Sequence, residues 1–180
     1  MNCGGAFIFD AESDAALRGV WREAAAASGS NTMLELDYPP HLTFFMADLL
    51  DFDSRKPAVD ALAEVTAPLE IDIPSLGAFP GNFGVVYLAP IVNQPLLALH
   101  EQFYRTAERH CADLAQHYRP GMWIPHITVG FNLAPEAAGT TVTALARAAL
   151  PRKARITGLT FGQFNLVGAS ELANVWFKGG

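Results

Sequence analysis

Pro40-His41-Leu42-Thr43-Phe44 and Pro125-His126-Ile127-Thr128-Val129 are two copies of one pattern: proline, histidine, aliphatic, threonine, apolar. A shuffled chain of 180 residues with 5 histidines and 12 prolines would hold Pro-His-x-Thr about 0.02 times, so the pair asks for a cause. A β-strand supplies one. Side chains at i and i+2 of a strand share a face, which puts His41 with Thr43 and His126 with Thr128. Leu42, Phe44 and Met46 then fall on the reverse face of one strand, and Ile127, Val129 and Phe131 on that of the other. Each strand has an apolar back suited to packing and a polar front carrying an imidazole and a hydroxyl. Proline has no N–H for a ladder, so its place ahead of each histidine marks a strand start or edge.

Outward from the two strands, the periodicity predicts a first strand at 6–9 and a helix over 13–27. Ser13 is the expected cap of that helix, with Leu17, Val20, Trp21 and Ala24 inward. The first histidine strand is expected at 41–47 and a helix at 54–66, with Val59, Leu62 and Ala63 inward. Strands follow at 69–74 and 83–89, separated by a turn-rich stretch from Gly77 to Asn82. Asn93-Gln94-Pro95 opens a helix running to about residue 113, since proline is tolerated in a first turn. The second histidine strand is expected at 123–131, a helix within 135–149 inward through Val142, Leu145, Ala146 and Leu150, and closing strands at 155–167 and 174–178. Strand, helix, histidine strand and helix thus occur in the same order in each half. The reading is an α+β fold: residues 1–180 as one two-lobed domain built by pseudo-twofold duplication, with antiparallel sheets backed by helices around a central cleft and one histidine strand per lobe.

Composition narrows the function. With 51% hydrophobic and 17% charged residues the chain can bury a substantial core. A net charge of −6 argues against a protein that coats long nucleic acid, because such binding draws on phosphate neutralisation by Lys and Arg. Cys3 and Cys111 form neither a disulfide framework nor a metal cluster. No apolar run reaches the roughly 18 residues a membrane span needs, and the N-terminus lacks a charged-then-apolar leader. A soluble, cytoplasmic protein is expected, with no membrane partner; nothing in the sequence specifies an oligomeric state.

The paired motifs resemble those of the two-histidine phosphoesterase superfamily, which includes 2′–5′ RNA ligase-like proteins and 2′,3′-cyclic nucleotide phosphodiesterases. Members carry two His-x-Thr/Ser-x motifs with an apolar last residue, here His41-Leu42-Thr43-Phe44 and His126-Ile127-Thr128-Val129. Val85-Val86-Tyr87-Leu88 and the Leu- and His-bearing helix after it extend the likeness, and Tyr38-Pro39-Pro40 looks more like the smaller bacterial members. The resemblance implies a bilobal fold, metal-independent phosphoester chemistry without a cofactor, His41 and His126 as catalytic residues, and Thr43 and Thr128 as phosphate-binding hydroxyls. A small phosphorylated or nucleotide-like substrate is implied, with RNA termini as the alternative partner.

The residue types suit that chemistry. Cleaving a phosphodiester needs a base for the attacking water and an acid for the departing alkoxide, and imidazole titrates near working pH. Either histidine can take either role. Pocket-lining candidates are Phe45, by parity with His41 and Thr43; Tyr38 and Trp123, just upstream of the two strands; and Arg119, in the loop before the second motif. His100 reads as a hydrogen-bonded packing residue, and His110 and His117 as exposed helix-end or loop residues. His100-Glu101 is no zinc motif, because position 104 is Tyr104. The glycine-rich stretch from Gly77 to Gly84 lacks the Lys-Ser/Thr ending of a phosphate loop and reads as a hairpin connection. Hydrolysis of a cyclic or related phosphodiester is the function expected, against RNA end-processing by 2′–5′ joining or its reversal, or nucleotide binding without turnover.

Overall fold

The structure is a computed structural model that describes residues 3–36, 38–82, 84–165 and 168–179. In chain order the elements are β1 (Cys3–Phe9), α1 (Ala11–Ser28), α2 (Thr32–Glu35), β2 (His41–Ala47), β3 (Leu49–Leu50), α3 (Phe52–Val65), β4 (Leu69–Asp72), β5 (Ser75–Phe79), β6 (Gly84–Ala89), α4 (Gln94–Glu108), β7 (Cys111–Ala112), β8 (Ile127–Leu133), α5 (Pro135–Leu145), β9 (Lys153–Asn165) and β10 (Gly168–Trp176). A single 3-10 turn, Gln116–Tyr118, precedes the second motif.

Two antiparallel sheets carry the motifs. The larger has the order β10-β9-β1-β2, with β4 pairing the opening residues of the long β9. The smaller has the order β5-β6-β8. The first motif strand, β2, and the second, β8, each end their sheet's path, so each motif sits on an edge, where an approaching proline costs no ladder bond.

Helices cover these sheets in a crossed arrangement. α1, from the first half of the chain, packs on α5 and on β8, the second motif strand; α4 packs on β2 and β4, and α3 on α4 and β10. The sequence order suggested two similar lobes, each with its own antiparallel sheet backed by its own helices. The packing crosses instead, and the sheets hold five strands and three, so neither sheet is one half of the chain. The inward stripe of α1, Leu17, Val20, Trp21 and Ala24, is buried and needs an apolar surface, and α1 packs on β8, whose Ile127 and Val129 are also buried.

Local differences have local causes. α1 is capped by Asp10, whose carboxylate accepts the Ser13 N–H at 2.8 Å, while the Ser13 hydroxyl accepts the Arg155 N–H at 3.0 Å. Helix α4 does start at the Asn93 cap but ends at Glu108, and Cys111–Ala112 forms a short ladder with β3. Helix α5 ends at Leu145, earlier than the periodicity implied, and buries Ala138, Thr141 and Leu145. Gly77 to Phe79 belong to strand β5 rather than to a turn. Gly77 pairs with Tyr87, and a Cβ there would fall 2.6 Å from the Tyr87 ring, so the glycine that read as a turn signal makes room for an aromatic neighbour.

Both motif strands bulge at the same place. In the β1–β2 ladder Ala6 pairs with Thr43 and Gly5 with Phe45, which leaves Phe44 as the extra residue. In the β6–β8 ladder Tyr87 pairs with Thr128 and Val86 with Gly130, which leaves Val129 extra. The extra residue is the fourth of its motif in each case. A bulge shifts the inward–outward alternation by one, and this corrects three parity readings, the first being Met46, expected inward and only half-buried. Phe45, expected beside His41 and Thr43, turns into the core at 0% exposure. Phe131, expected inward, is 51% exposed.

Candidate active site

His41 opens β2 and His126 immediately precedes β8. The two rings are held alike. His41 Nδ1 lies 2.8 Å from the carbonyl of Pro39, and His126 Nδ1 lies 2.8 Å from the carbonyl of Ile124, two residues upstream in both motifs. A carbonyl only accepts, so each neutral ring carries its proton on Nδ1 and keeps the Nε2 lone pair for other work. Burial pushes the His41 imidazole down to about 4, partly opposed by the Pro39 hydrogen bond, with nearby His126 lowering it further. Burial also lowers His126, opposed by the Ile124 bond, and His117 adds to the lowering.

Two indoles donate to motif carbonyls, one from the approach to the second motif and one from α1. Trp123, three residues before His126, donates its Nε1–H to the carbonyl of Thr43 at 2.9 Å. Trp21, from α1, donates its Nε1–H to the carbonyl of Thr128 at 2.9 Å. The approach to the second histidine is therefore fastened to the backbone two residues beyond the first. On the first motif's side, burial raises the Tyr118 phenol, and the nearby Thr43 hydroxyl partly opposes the rise.

Aromatic rings flank each imidazole. Tyr38 meets His41 edge-on, with ring centroids 5.0 Å apart. Phe79 meets His126 edge-on at 4.9 Å, and Tyr87 does so at 5.5 Å. Phe79, Tyr87 and Tyr118 were missed in the sequence. Tyr87 had a readable signal, since it alternates with Val86 and Leu88 in a strand pattern; Phe79 was hidden in apparent turn residues.

The remaining candidates go elsewhere. Phe45 packs against Phe44 at 5.2 Å and under the Arg55 guanidinium at 4.9 Å, within the core. Trp123 is only 8% exposed and one ring face is covered by His100, stacked at 4.0 Å and 9°. Its indole N–H is engaged by the Thr43 carbonyl. Arg119 is exposed, donates to the Gln116 side chain at 3.0 Å, and lines a surface pocket with Tyr104, Glu108 and Asp113 that includes neither motif. His100 is buried, with Nε2 2.9 Å from the Tyr118 carbonyl. Among the described residues no group of three or more His, Cys, Asp or Glu side chains is placed to hold a metal ion. Nor is any helix among them long and apolar enough to cross a membrane.

Matched imidazoles with backbone-fixed tautomers, each followed by a strand hydroxyl, define the two-histidine phosphoesterase class. The chain belongs to the 2′-5′ RNA ligase superfamily, whose family model matches residues 13–166. Among solved structures it is similar to TT0787 of Thermus thermophilus, at 18% identity and TM-score 0.60, with 99% of each chain covered. It is also similar to E. coli LigT complexed with 3′-AMP, at 17% identity and TM-score 0.60, covering 98% of this chain and 97% of that one. Kluyveromyces marxianus Usb1 aligns at 11% identity and TM-score 0.56, covering 98% of both chains. At these identities the likeness concerns the fold. No curated protein sequence matches the chain. Family membership supports an enzyme of the phosphoesterase/ligase kind.

Proposed function

We propose that the protein is a metal-independent phosphodiesterase acting on a small 2′,3′-cyclic or related nucleotide phosphodiester. In this reading His41 and His126 form the acid/base pair, and Thr43 and Thr128 donate hydrogen bonds to the phosphate oxygens. Residues 1–180 act as one two-lobed unit, in the cytoplasm. The observation that carries the reading is the bond from Trp123 to the Thr43 carbonyl, which fastens the two motifs to each other. LigT bound to 3′-AMP and Usb1 bound to uridine monophosphate make a nucleotide-like ligand a reasonable first choice.

The chemistry follows from the ring states. With both imidazoles depressed, the empty site is neutral near pH 7. A phosphodiester monoanion entering between them favours protonation of a nearby imidazole, so the substrate brings in the one proton the pair needs. The neutral ring takes a proton from the attacking water through Nε2. The protonated ring gives its own to the departing ribose oxygen. Threonine hydroxyls fixed two residues from each ring hold the charge that gathers on the phosphoryl oxygens.

The test is a panel of 2′,3′-cyclic nucleotides and linear diesters, assayed with and without chelator. Turnover of a cyclic phosphate that survives chelation is expected, and His41→Ala or His126→Ala should each lower it by about 10²–10⁴-fold. Full activity in both variants would reject the assignment. The family model favours a second reading, RNA end-processing. An oligonucleotide ending in the same cyclic phosphate should then outperform the mononucleotide, with a steep salt dependence.

A further inference from the structure

We propose that Trp21 and Trp123 are positioning residues that set how the two histidines face each other, each through its indole N–H on a motif threonine carbonyl. The inference rests on the proposed two-histidine site and extends it to residues that contact no substrate. The two bonds have equal length, 2.9 Å, and reach equivalent atoms, the carbonyls of Thr43 and Thr128.

Those carbonyls belong to the peptide units that join each threonine to its bulge residue, Phe44 or Val129. A bulge breaks the local ladder, and a buried carbonyl beside the break needs a donor. An indole N–H only donates, and its large ring fixes the direction of donation. Trp21 is 1% exposed within α1, and Trp123 is 8% exposed and stacked on His100, so neither ring can swing.

The connections cross the chain. Trp21 precedes the first motif but braces the second; Trp123 leads into the second motif but braces the first. The shorter path runs from His41 through the Thr43 carbonyl and Trp123 to His126, passing only Leu42 on one side and Ile124 and Pro125 on the other. Losing that N–H frees the stretch that carries His126, whereas losing the Trp21 bond loosens only the strand behind Thr128. A larger effect is expected at Trp123.

Trp123→Phe and Trp21→Phe remove the N–H and keep a ring. Each folded variant is read by NMR titration of the His41 and His126 rings, which needs no substrate, and by kcat and KM on whichever diester the wild type turns over. Trp123→Phe should shift the titration of at least one ring and lower kcat by about tenfold or more with KM changed less than threefold, as expected for lost orientation. Trp21→Phe should act in the same sense and more weakly. If a variant fails to fold, biosynthetic replacement of tryptophan by its benzothiophene isostere removes the N–H groups and keeps the shape. Unaltered ring titrations in folded variants, with only a lowered Tm, would overturn the proposal. Altered titrations in a protein that cleaves no diester would instead reject the phosphodiesterase reading and keep the braces.

Discussion

The stretch 41–46 and the stretch 126–131 begin alike and end differently. Both start with a histidine fixed through Nδ1 to a carbonyl two residues back, and both bulge at the fourth motif residue. Beyond the bulge they part. The first continues with Phe45, fully buried against Phe161 and the Arg55 guanidinium, while the second continues with Gly130 and the exposed Phe131. What the two share is confined to the span that shapes the site. What differs is the support, which each sheet supplies from its own surroundings.

The sharpest test of the shared span is functional. His41→Ala and His126→Ala should each cost about 10²–10⁴-fold in turnover, and the double variant should fall little below the poorer single one, because groups that act as a unit are not additive. Multiplicative losses would show that the two histidines act independently and would break the equivalence.

The next contrast concerns stability. Phe45→Ala should destabilise by about 3–5 kcal/mol, as expected for a buried aromatic ring. Phe131→Ala should stay within about 0.5 kcal/mol. Denaturant unfolding of both variants decides it; equal losses would mean that the bulges do not set the two faces. Arg55 adds a further asymmetry. It is 0% exposed, lies 4.0 Å over the Phe161 ring, and none of its three guanidinium nitrogens has a hydrogen-bond partner among the described residues. Burial pushes the guanidinium down to about 10. Among the described residues its closest printed partners are the faces of Phe45 and Phe161, so Arg55→Met should leave stability unchanged or raise it by about 1–4 kcal/mol. A large loss would indicate a partner for the charge.

These cases show what the sequence could and could not carry. The motif strands, the Asn93 cap with Pro95 behind it, and the inward stripe of α1 were legible because a strand repeat of two and a helix repeat of 3.6 are local rules. The bulges were not. An extra residue is a relation between two strands, and it left Phe45 and Phe131 on the wrong faces. Arg55 sits four residues before Val59 on the buried stripe of α3, where general rules place arginine outside. Gly77 spoke for a turn while serving Tyr87 across a ladder. For the proposed site, the four motif side chains stand out in the sequence by their repetition. Tyr118, Phe79 and the bracing role of the indoles depend on tertiary contacts that no spacing encodes.

Acid should act on both regions through buried imidazoles. His41 and His100 ordinarily titrate near 6.5, and burial pushes each down to about 4. Above 6.5 both are neutral in the folded and unfolded chain and contribute no pH dependence. Between 6.5 and 4 the unfolded chain binds protons that the native one refuses, so stability falls as pH falls through this window and levels off below it. For His100, at 1% exposure, the full effect is about 3 kcal/mol. Urea midpoints measured across this range should drop towards the acid end, and His100→Asn should flatten the slope. A wild-type midpoint that does not move would contradict the burial of these rings.

The finest distinction is the order in which the two site imidazoles take up protons. Burial is the leading cause of lowering for both, and it pushes His41 down to about 4. His41 sits beside the buried Tyr38 ring, while His126 follows the exposed Ile124. On acidification of the free protein, His126 should therefore protonate first, and its charge should hold His41 neutral to lower pH still. Two-dimensional NMR of the ring protons resolves the sequence of events. The same order casts His126 as the acid and His41 as the base, since the ring that accepts a proton more readily is the one the substrate anion charges. If His41 titrates first, the aromatic cover around His126 is the stronger barrier to charge and the roles exchange, with the equivalence of the two motifs intact.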